Sequence, residues 1–124
     1  MSTEHHSAVV PILRSFDEAL ARSFYLDFLG FEVLFEHRFG PDAPLYMGIR
    51  KGNCVLHLSE HFGDSTPGQR VRIETVGLKA MAQRLRAANY KFAKPGEPQE
   101  QPWRELDLTI ADPFGNKLTF CEEL

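Results

Sequence analysis

The sequence predicts an α+β protein built from two modules with the same order of elements, one strand, one helix and three strands (βαβββ). The first observation is a change of pattern at Gly30-Phe31, where apolar residues spaced for a helix give way to the alternation of a strand. The same change recurs at Asn89-Tyr90. Between the two lies the stretch HFGDSTPGQ (residues 61–69), whose Gly, Pro, Ser and Asp residues mark an internal boundary.

We expect residues 1–124 to form a single domain, because a chain of this length buries a sizeable core and no low-complexity linker divides it. Module 1 is predicted over about residues 7–61 and module 2 over about residues 69–124. Two modules joined so directly favour an arrangement in which the halves face one another across a shared cleft.

Local signals mark the first strand and the first helix. Residues 7–13 (SAVVPIL) are predicted as a strand that Pro11 confines to a sheet edge, because proline cannot donate to a ladder. A helix is predicted over residues 15–30, where Ser15 and Glu18 form a capping box and Gly30 ends the helix. Its predicted buried stripe consists of Phe16, Leu20, Phe24 and Phe28.

The remaining elements follow from alternation and from turn residues. Module 1 is completed by strands at residues 31–38, 45–50 and 53–60. The predicted elements of module 2 are a strand at residues 70–76, a helix at 77–90 and strands at 91–93, 103–111 and 117–123. The helix buries Leu78, Met81, Leu85 and Ala88, and Asn89 is its left-handed stop.

Composition and charge exclude several classes of protein. The net charge of −3 gives no sign of a nucleic-acid-binding protein, which would neutralise phosphates with basic residues. There is no basic N-terminal region and no apolar run near the ~20 residues that span a bilayer. Cys54 and Cys121 lack metal-binding spacing and lie in apolar runs, as buried reduced thiols do. We therefore expect a soluble cytoplasmic protein that binds neither nucleic acid nor membrane.

Three stretches carry a resemblance to a known family: AVVPIL followed by Asp17, FYLDFLGF (residues 24–31) and QPWRELDLTIADPFGNKLTF (residues 101–120). On these residues the chain resembles the bleomycin resistance proteins. They are a branch of the vicinal oxygen chelate superfamily, which also includes glyoxalase I and the extradiol dioxygenases. FYLDFLGF and DPFGN are typical of the whole superfamily, whereas QPWRE together with DPFGN indicates the antibiotic-binding branch. Residues 39–70 are only loosely similar.

The resemblance implies two cupped mixed sheets with helices on the outer face and a ligand crevice on the inner face, at the interface of a homodimer. It also implies that the N-terminal strand is exchanged between subunits, for which Pro11 suits a hinge. Alternation then assigns side chains to the two faces. Leu106, Leu108 and Ile110 should lie under a helix, whereas Trp103, Glu105, Asp107 and Thr109 should face the crevice.

The metal-dependent relatives place histidine and glutamate ligands at four positions, on the first and last strand of each module. Here those positions hold Val10 or Pro11, then His57, then Arg70 or Arg72, and finally Thr119. A single imidazole cannot complete the coordination of a divalent ion. We expect no metal, no other cofactor and no catalytic residues. A non-standard metal site from His57, Glu60 and His61 stays open as an alternative.

A flat indole beside two carboxylates favours an aromatic cationic ligand, through cation–π attraction and ion pairing. The predicted ligand-binding residues are Trp103, Glu105, Asp107, Phe35, Phe39, His57 and Thr119. The last two occupy metal-ligand positions, and resemblance places Phe35 and Phe39 at or near crevice aromatics. Three alternatives stay open: Trp103 plugs the cup, Phe35 belongs to the core, and Glu105 and Asp107 pair with Arg70 and Arg72.

The predicted function is sequestration of a bleomycin-type or similar aromatic cationic small molecule by a homodimer, without modification, as antibiotic resistance proteins do. Two alternatives remain. One is a metal-dependent lyase or oxidoreductase of the glyoxalase or dioxygenase kind. The other is a dimer that binds a different metabolite, since Arg72, Arg104 and Lys117 make the charge of the inner face mixed.

Overall fold

The computed structural model describes residues 3–124. The strands are β1 (Ile12–Arg14), β2 (Glu32–His37), β3 (Tyr46–Lys51), β4 (Cys54–Ser59), β5 (Arg70–Glu74), β6 (Gln99–Gln101), β7 (Glu105–Ala111) and β8 (Lys117–Glu123). The helices are α1 (Glu18–Ala21), which continues as a π-helical segment (Arg22–Phe28), and α2 (Leu78–Ala87). No helix in this part of the chain has the length and apolarity needed to cross a membrane.

The strands form two four-stranded mixed sheets, which confirms the predicted fold class. Sheet 1 has the order β1-β4-β3-β2 and sheet 2 has the order β5-β8-β7-β6. In each sheet the first strand pairs in parallel with the last, and the remaining pairs are antiparallel. β1 is an edge strand, as Pro11 predicted, although it starts at Ile12 and is shorter than the predicted residues 7–13.

The start of the first helix differs from the prediction. Its N-cap is Asp17, whose backbone is extended and whose carboxylate accepts a hydrogen bond from the Leu20 N–H at 2.9 Å. Ser15 instead continues the strand, because its N–H donates to the Ser59 carbonyl at 2.9 Å. Phe16 therefore precedes the helix and is 56% exposed, so it does not belong to the buried stripe.

The π-helical segment also changes which side chains are buried. The Leu29 N–H donates to the carbonyl of Phe24, five residues back, at 2.9 Å. The wider turn brings Tyr25 into the core beside Phe24 and Phe28, whereas a period of 3.6 residues did not predict this tyrosine. Gly30 follows with a φ of 88°, which glycine adopts without steric cost.

Module 2 differs from the prediction in three elements. Residues 91–93 form no strand; the strand before β7 is Gln99–Gln101, and Pro95 and Pro98 precede it without an N–H to donate. Trp103 does not open β7 but lies in the turn between β6 and β7, next to Arg104 at a φ of 66°. In α2 the buried face comprises Leu78, Ala82 and Leu85, while Met81 is partly buried and Ala88 is exposed.

One continuous core joins the two modules on the helix side of the sheets. The buried hydroxyl of Tyr25 donates to Asp112 Oδ2 at 2.6 Å, and Tyr90 stacks on Phe28 with ring centroids 4.6 Å apart. Asn116 Nδ2 donates to the Arg14 carbonyl at 3.0 Å. The opposite sides of the sheets, the open faces, are therefore left for a ligand or a partner.

Candidate ligand-binding site

The open face of sheet 2 carries a charged cluster that three strands build. In register, Asp107 of β7 lies opposite Cys121 of β8, and Arg72 of β5 lies opposite Thr119 of β8. Because side chains alternate along a strand, Glu105 and Asp107 share one face with Arg72, while Leu106 and Leu108 point to the core.

Arg72 reaches across β8 to both carboxylates. Its Nη1 lies 3.0 Å from Asp107 Oδ2, and its Nη2 lies 3.1 Å from Asp107 Oδ1, which makes a two-pronged pair. Nη2 also lies 3.3 Å from Glu105 Oε1. The hydrogen bonds from Arg72 to Asp107 and its attraction to both carboxylates raise the pKa of its guanidinium, which stays charged.

Trp103 completes this cluster from the turn before β7. The guanidinium carbon of Arg72 lies 5.9 Å from the centre of the indole, within the range of a cation–π contact. The indole is 57% exposed, so it does not plug the sheet. We call Arg72, Trp103, Glu105 and Asp107 the cation cluster.

Small side chains of β8 form the floor on which Arg72 crosses. Thr119 is 1% exposed, and its hydroxyl is hydrogen-bonded to that of Thr109 at 2.8 Å. The Cys121 thiol is also buried, and burial raises its pKa although the neighbouring Arg72 opposes the rise. Thr119 therefore supports the cluster and is not itself accessible.

A cavity of about 870 Å³ lies beside the cation cluster. Trp103, Glu105 and Cys121 line it together with Glu74, Glu122 and Glu123, and Arg104 is the one basic residue of its wall. Four glutamates against one arginine give the wall a negative potential, which favours cations.

The open face of sheet 1 is aromatic. Phe35 lies directly over Gly48, where a Cβ would come within 2.3 Å of the phenyl ring, so a larger residue there would displace the ring. Phe35 stacks on Tyr46 with centroids 6.1 Å apart and meets the His57 ring edge-on at 5.2 Å. The Tyr46 hydroxyl lies 2.7 Å from His57 Nδ1. Burial lowers the pKa of His57, which favours the neutral form of its imidazole.

The remaining predicted contact residue, Phe39, lies further along the same face. Its ring contacts those of His37 and His61 at 4.5 and 5.9 Å, and it is 81% exposed. We call Phe35, Phe39, Tyr46 and His57 the aromatic face.

The structure thus brings the predicted site residues together in two separate groups. Trp103, Glu105 and Asp107 meet in the cation cluster, and Phe35 and His57 meet on the aromatic face. Within residues 3–124, no hydrogen bond, ion pair or ring contact joins one group to the other. Glu105 and Asp107 pair with Arg72, one of the two arginines considered from the sequence, and Arg70 takes no part in these pairs.

The family was tested by comparison with known proteins. A family model described as glyoxalase superfamily protein matches residues 3–124, which is nearly the whole chain. The chain belongs to the glyoxalase superfamily. No curated protein sequence matches it closely.

Solved structures of other superfamily members are similar to this chain. One is a bleomycin-binding protein from Streptomyces verticillus complexed with copper(II)-bleomycin, with 27% identity, a TM-score of 0.70 and coverage of 95% of this chain and 97% of that one. An antibiotic binding protein from Streptomyces sp. CB03234 has 21% identity, a TM-score of 0.75 and coverage of 96% and 100%. A glyoxalase/bleomycin resistance protein from the same source has 22% identity, a TM-score of 0.72 and coverage of 92% and 98%.

The residues at the superfamily's four metal-ligand positions do not fit a metal ion. His57 is the only imidazole among them, and the position on β5 holds an arginine, Arg70 or Arg72, whose positive charge would repel a metal ion. Among residues 3–124, no three His, Cys, Asp or Glu side chains form a group that could hold a metal. Glu60 of the alternative site accepts a hydrogen bond from the Leu45 N–H at 2.9 Å.

Proposed function

We propose that this glyoxalase superfamily member binds and sequesters a bleomycin-type or similar aromatic cationic small molecule without modifying it. One observation carries the proposal: the cation cluster already holds a planar cation, the guanidinium of Arg72, between an indole and two carboxylates. A surface that binds the planar guanidinium of its own chain has the groups needed to bind a planar cationic group of a ligand.

The acidic wall of the adjacent cavity supports the same ligand class. Its glutamates would attract a cationic ligand before contact, and Trp103 offers an exposed aromatic surface for stacking. The similar structures from S. verticillus and Streptomyces sp. CB03234, which hold bleomycin or are described as antibiotic binding, are consistent with this proposal.

Binding without chemistry is part of the proposal. The superfamily's metal-dependent reactions need a Lewis acid. The lack, among residues 3–124, of three His, Cys, Asp or Glu side chains grouped to hold a metal ion supports this part of the proposal. Within the cation cluster both carboxylates are paired with Arg72, which supports a role in binding a cation.

We also propose that the complete crevice is formed by a homodimer in the cytoplasm. The aromatic face and the cation cluster lie on different sheets, and a second copy of the chain would allow one of these surfaces to face the other. The free thiols of Cys54 and Cys121 suit a reducing compartment.

Calorimetric titration with bleomycin tests the function. We expect saturable binding by the purified protein, and mass spectrometry of the released drug should show it unchanged. If the protein holds one tightly bound metal ion per subunit and converts a substrate, the enzymatic alternative replaces this proposal.

A further inference from the structure

The pairing of Arg72 has a consequence for ligand recognition. The guanidinium occupies the place beside Trp103, Glu105 and Asp107 that a ligand cation would take. We propose that Arg72 is an internal competitor, which a ligand must displace to bind. The inference rests on the proposed function and narrows its ligand class to compounds that carry an amidinium or guanidinium group on a flat apolar body.

The partners in this cluster differ in how firmly they are held. The side chain of Asp107 is 12% exposed, and it extends from β7, which is paired with a strand on each side. The side chain of Arg72 is 44% exposed and extends from an edge strand, so it can turn into water at little cost. The carboxylate thus stays in place while its cation can be exchanged.

The geometry selects the shape of the replacing cation. Both oxygens of Asp107 accept from separate nitrogens of Arg72, at 3.0 and 3.1 Å. An amidinium or guanidinium reproduces this parallel pair, whereas a primary ammonium is a point charge that cannot. The indole 5.9 Å away then stacks on the aromatic body attached to that group.

The same contacts argue against an anionic ligand on Arg72. Its two terminal nitrogens are engaged with Asp107 and Glu105, so an added anion would meet two carboxylates around one guanidinium. Among residues 3–124, no other Lys or Arg forms an ion pair with either carboxylate. Removal of Arg72 therefore leaves a vacant cation site and not a vacant anion site.

Benzamidine, a flat amidinium, is the probe, and benzamide is its uncharged isostere. Binding is followed by the emission of Trp103, the single tryptophan. We expect Arg72→Gln to bind benzamidine about three- to tenfold more tightly than the wild type, because no internal cation has to leave. Arg72→Lys keeps the charge without the fork and should give a smaller gain.

The matched control is Arg70→Gln, on the same strand and the same face, which should leave benzamidine binding unchanged. Circular dichroism establishes whether each variant is folded. If Arg72→Gln does not fold, the comparison with the wild type is made with Arg72→Lys. Equal or weaker binding of benzamidine by a folded Arg72 variant would overturn the inference, as would an equal gain for benzamide. Bleomycin titration of the wild type is independent of these results. If bleomycin does not bind, the proposed function is rejected. If the Arg72 variants do not bind benzamidine more tightly, only the role of Arg72 as an internal competitor is rejected.

Discussion

Asp107 and Asp112 lie on β7 and in the turn that follows it, and both are surrounded by hydrogen-bond donors. The partners of Asp112 are fixed parts of the fold: the Tyr25 hydroxyl, the Phe114 and Asn116 N–H groups and the Asn116 amide. The partner of Asp107 is the end of an exposed arginine on another strand. Carboxylates with similar local patterns can therefore have different roles, because one has backbone and buried partners and the other has a partner that can leave.

The largest effect is expected when Asp112, the carboxylate with fixed partners, is removed. Asp112→Ala removes the acceptor of four buried donors, and we expect unfolding free energy to fall by about 3 kcal/mol. Asp107→Ala, the matched control, should cost less than about 1 kcal/mol, because Arg72 is left in contact with water. Urea denaturation measures both. Equal losses of unfolding free energy in the two variants would show that Asp112 is held no more firmly than Asp107.

A smaller effect is expected on ligand affinity when Trp103, the aromatic neighbour of Asp107 in the cation cluster, is truncated. Trp103→Ala should weaken bleomycin binding by ~1–3 kcal/mol, since the ligand loses its stacking surface. Stability should change little because the indole is 57% exposed. Phe92→Ala removes an aromatic side chain of similar exposure, 59%, outside the cluster, and should leave the affinity unchanged. Calorimetry follows both variants; full affinity in Trp103→Ala would move the binding site elsewhere.

The smallest effect concerns a half-buried carboxylate whose partners are backbone N–H groups. Glu122 accepts from the N–H groups of Gly77 and Leu78, both at 2.9 Å, and caps α2, whose N-cap glycine has no side chain. These bonds lower the pKa of Glu122. Its contribution to stability is therefore complete above the unfolded pKa and is lost as pH falls through the folded pKa.

Thermal unfolding of Glu122→Gln between neutral and acidic pH tests this assignment. We expect a lower midpoint than the wild type near neutral pH and convergence of the two curves in acid. Glu123→Gln, the next residue on the same strand, is the control and should follow the wild type. A constant offset at every pH would mean that the charge of Glu122 is not what stabilises the helix.

Strong local signals allowed most of the fold to be predicted. β8 was predicted at residues 117–123, where it is observed, and Gly30 and Asn89 both have the positive φ of a helix stop. The errors arose where two local signals competed. Ser15 and Asp17 both suit an N-cap, and the choice depended on Ser15 joining the ladder through the Ser59 carbonyl, a contact distant in sequence.

The candidate site was less predictable because it depends on register. Alternation placed Trp103, Glu105 and Asp107 on one face, but only the pairing of β5, β8 and β7 shows that Arg72 crosses Thr119 and Cys121 to reach them. The surroundings of Thr119 also depend on how the strands pair. Its position suggested a ligand contact, whereas the structure shows a buried hydroxyl bonded to Thr109. Its participation in binding stays a prediction.

Titration of Trp103 emission with bleomycin tests most directly whether the cation cluster binds an aromatic cation. The wild type should show saturable quenching, and Asp107→Asn should bind about tenfold or more weakly because one charge-assisted pair is lost. If the folded wild type shows no quenching, or if Asp107→Asn binds bleomycin as tightly as the wild type, the cation cluster is not the binding site for an aromatic cation.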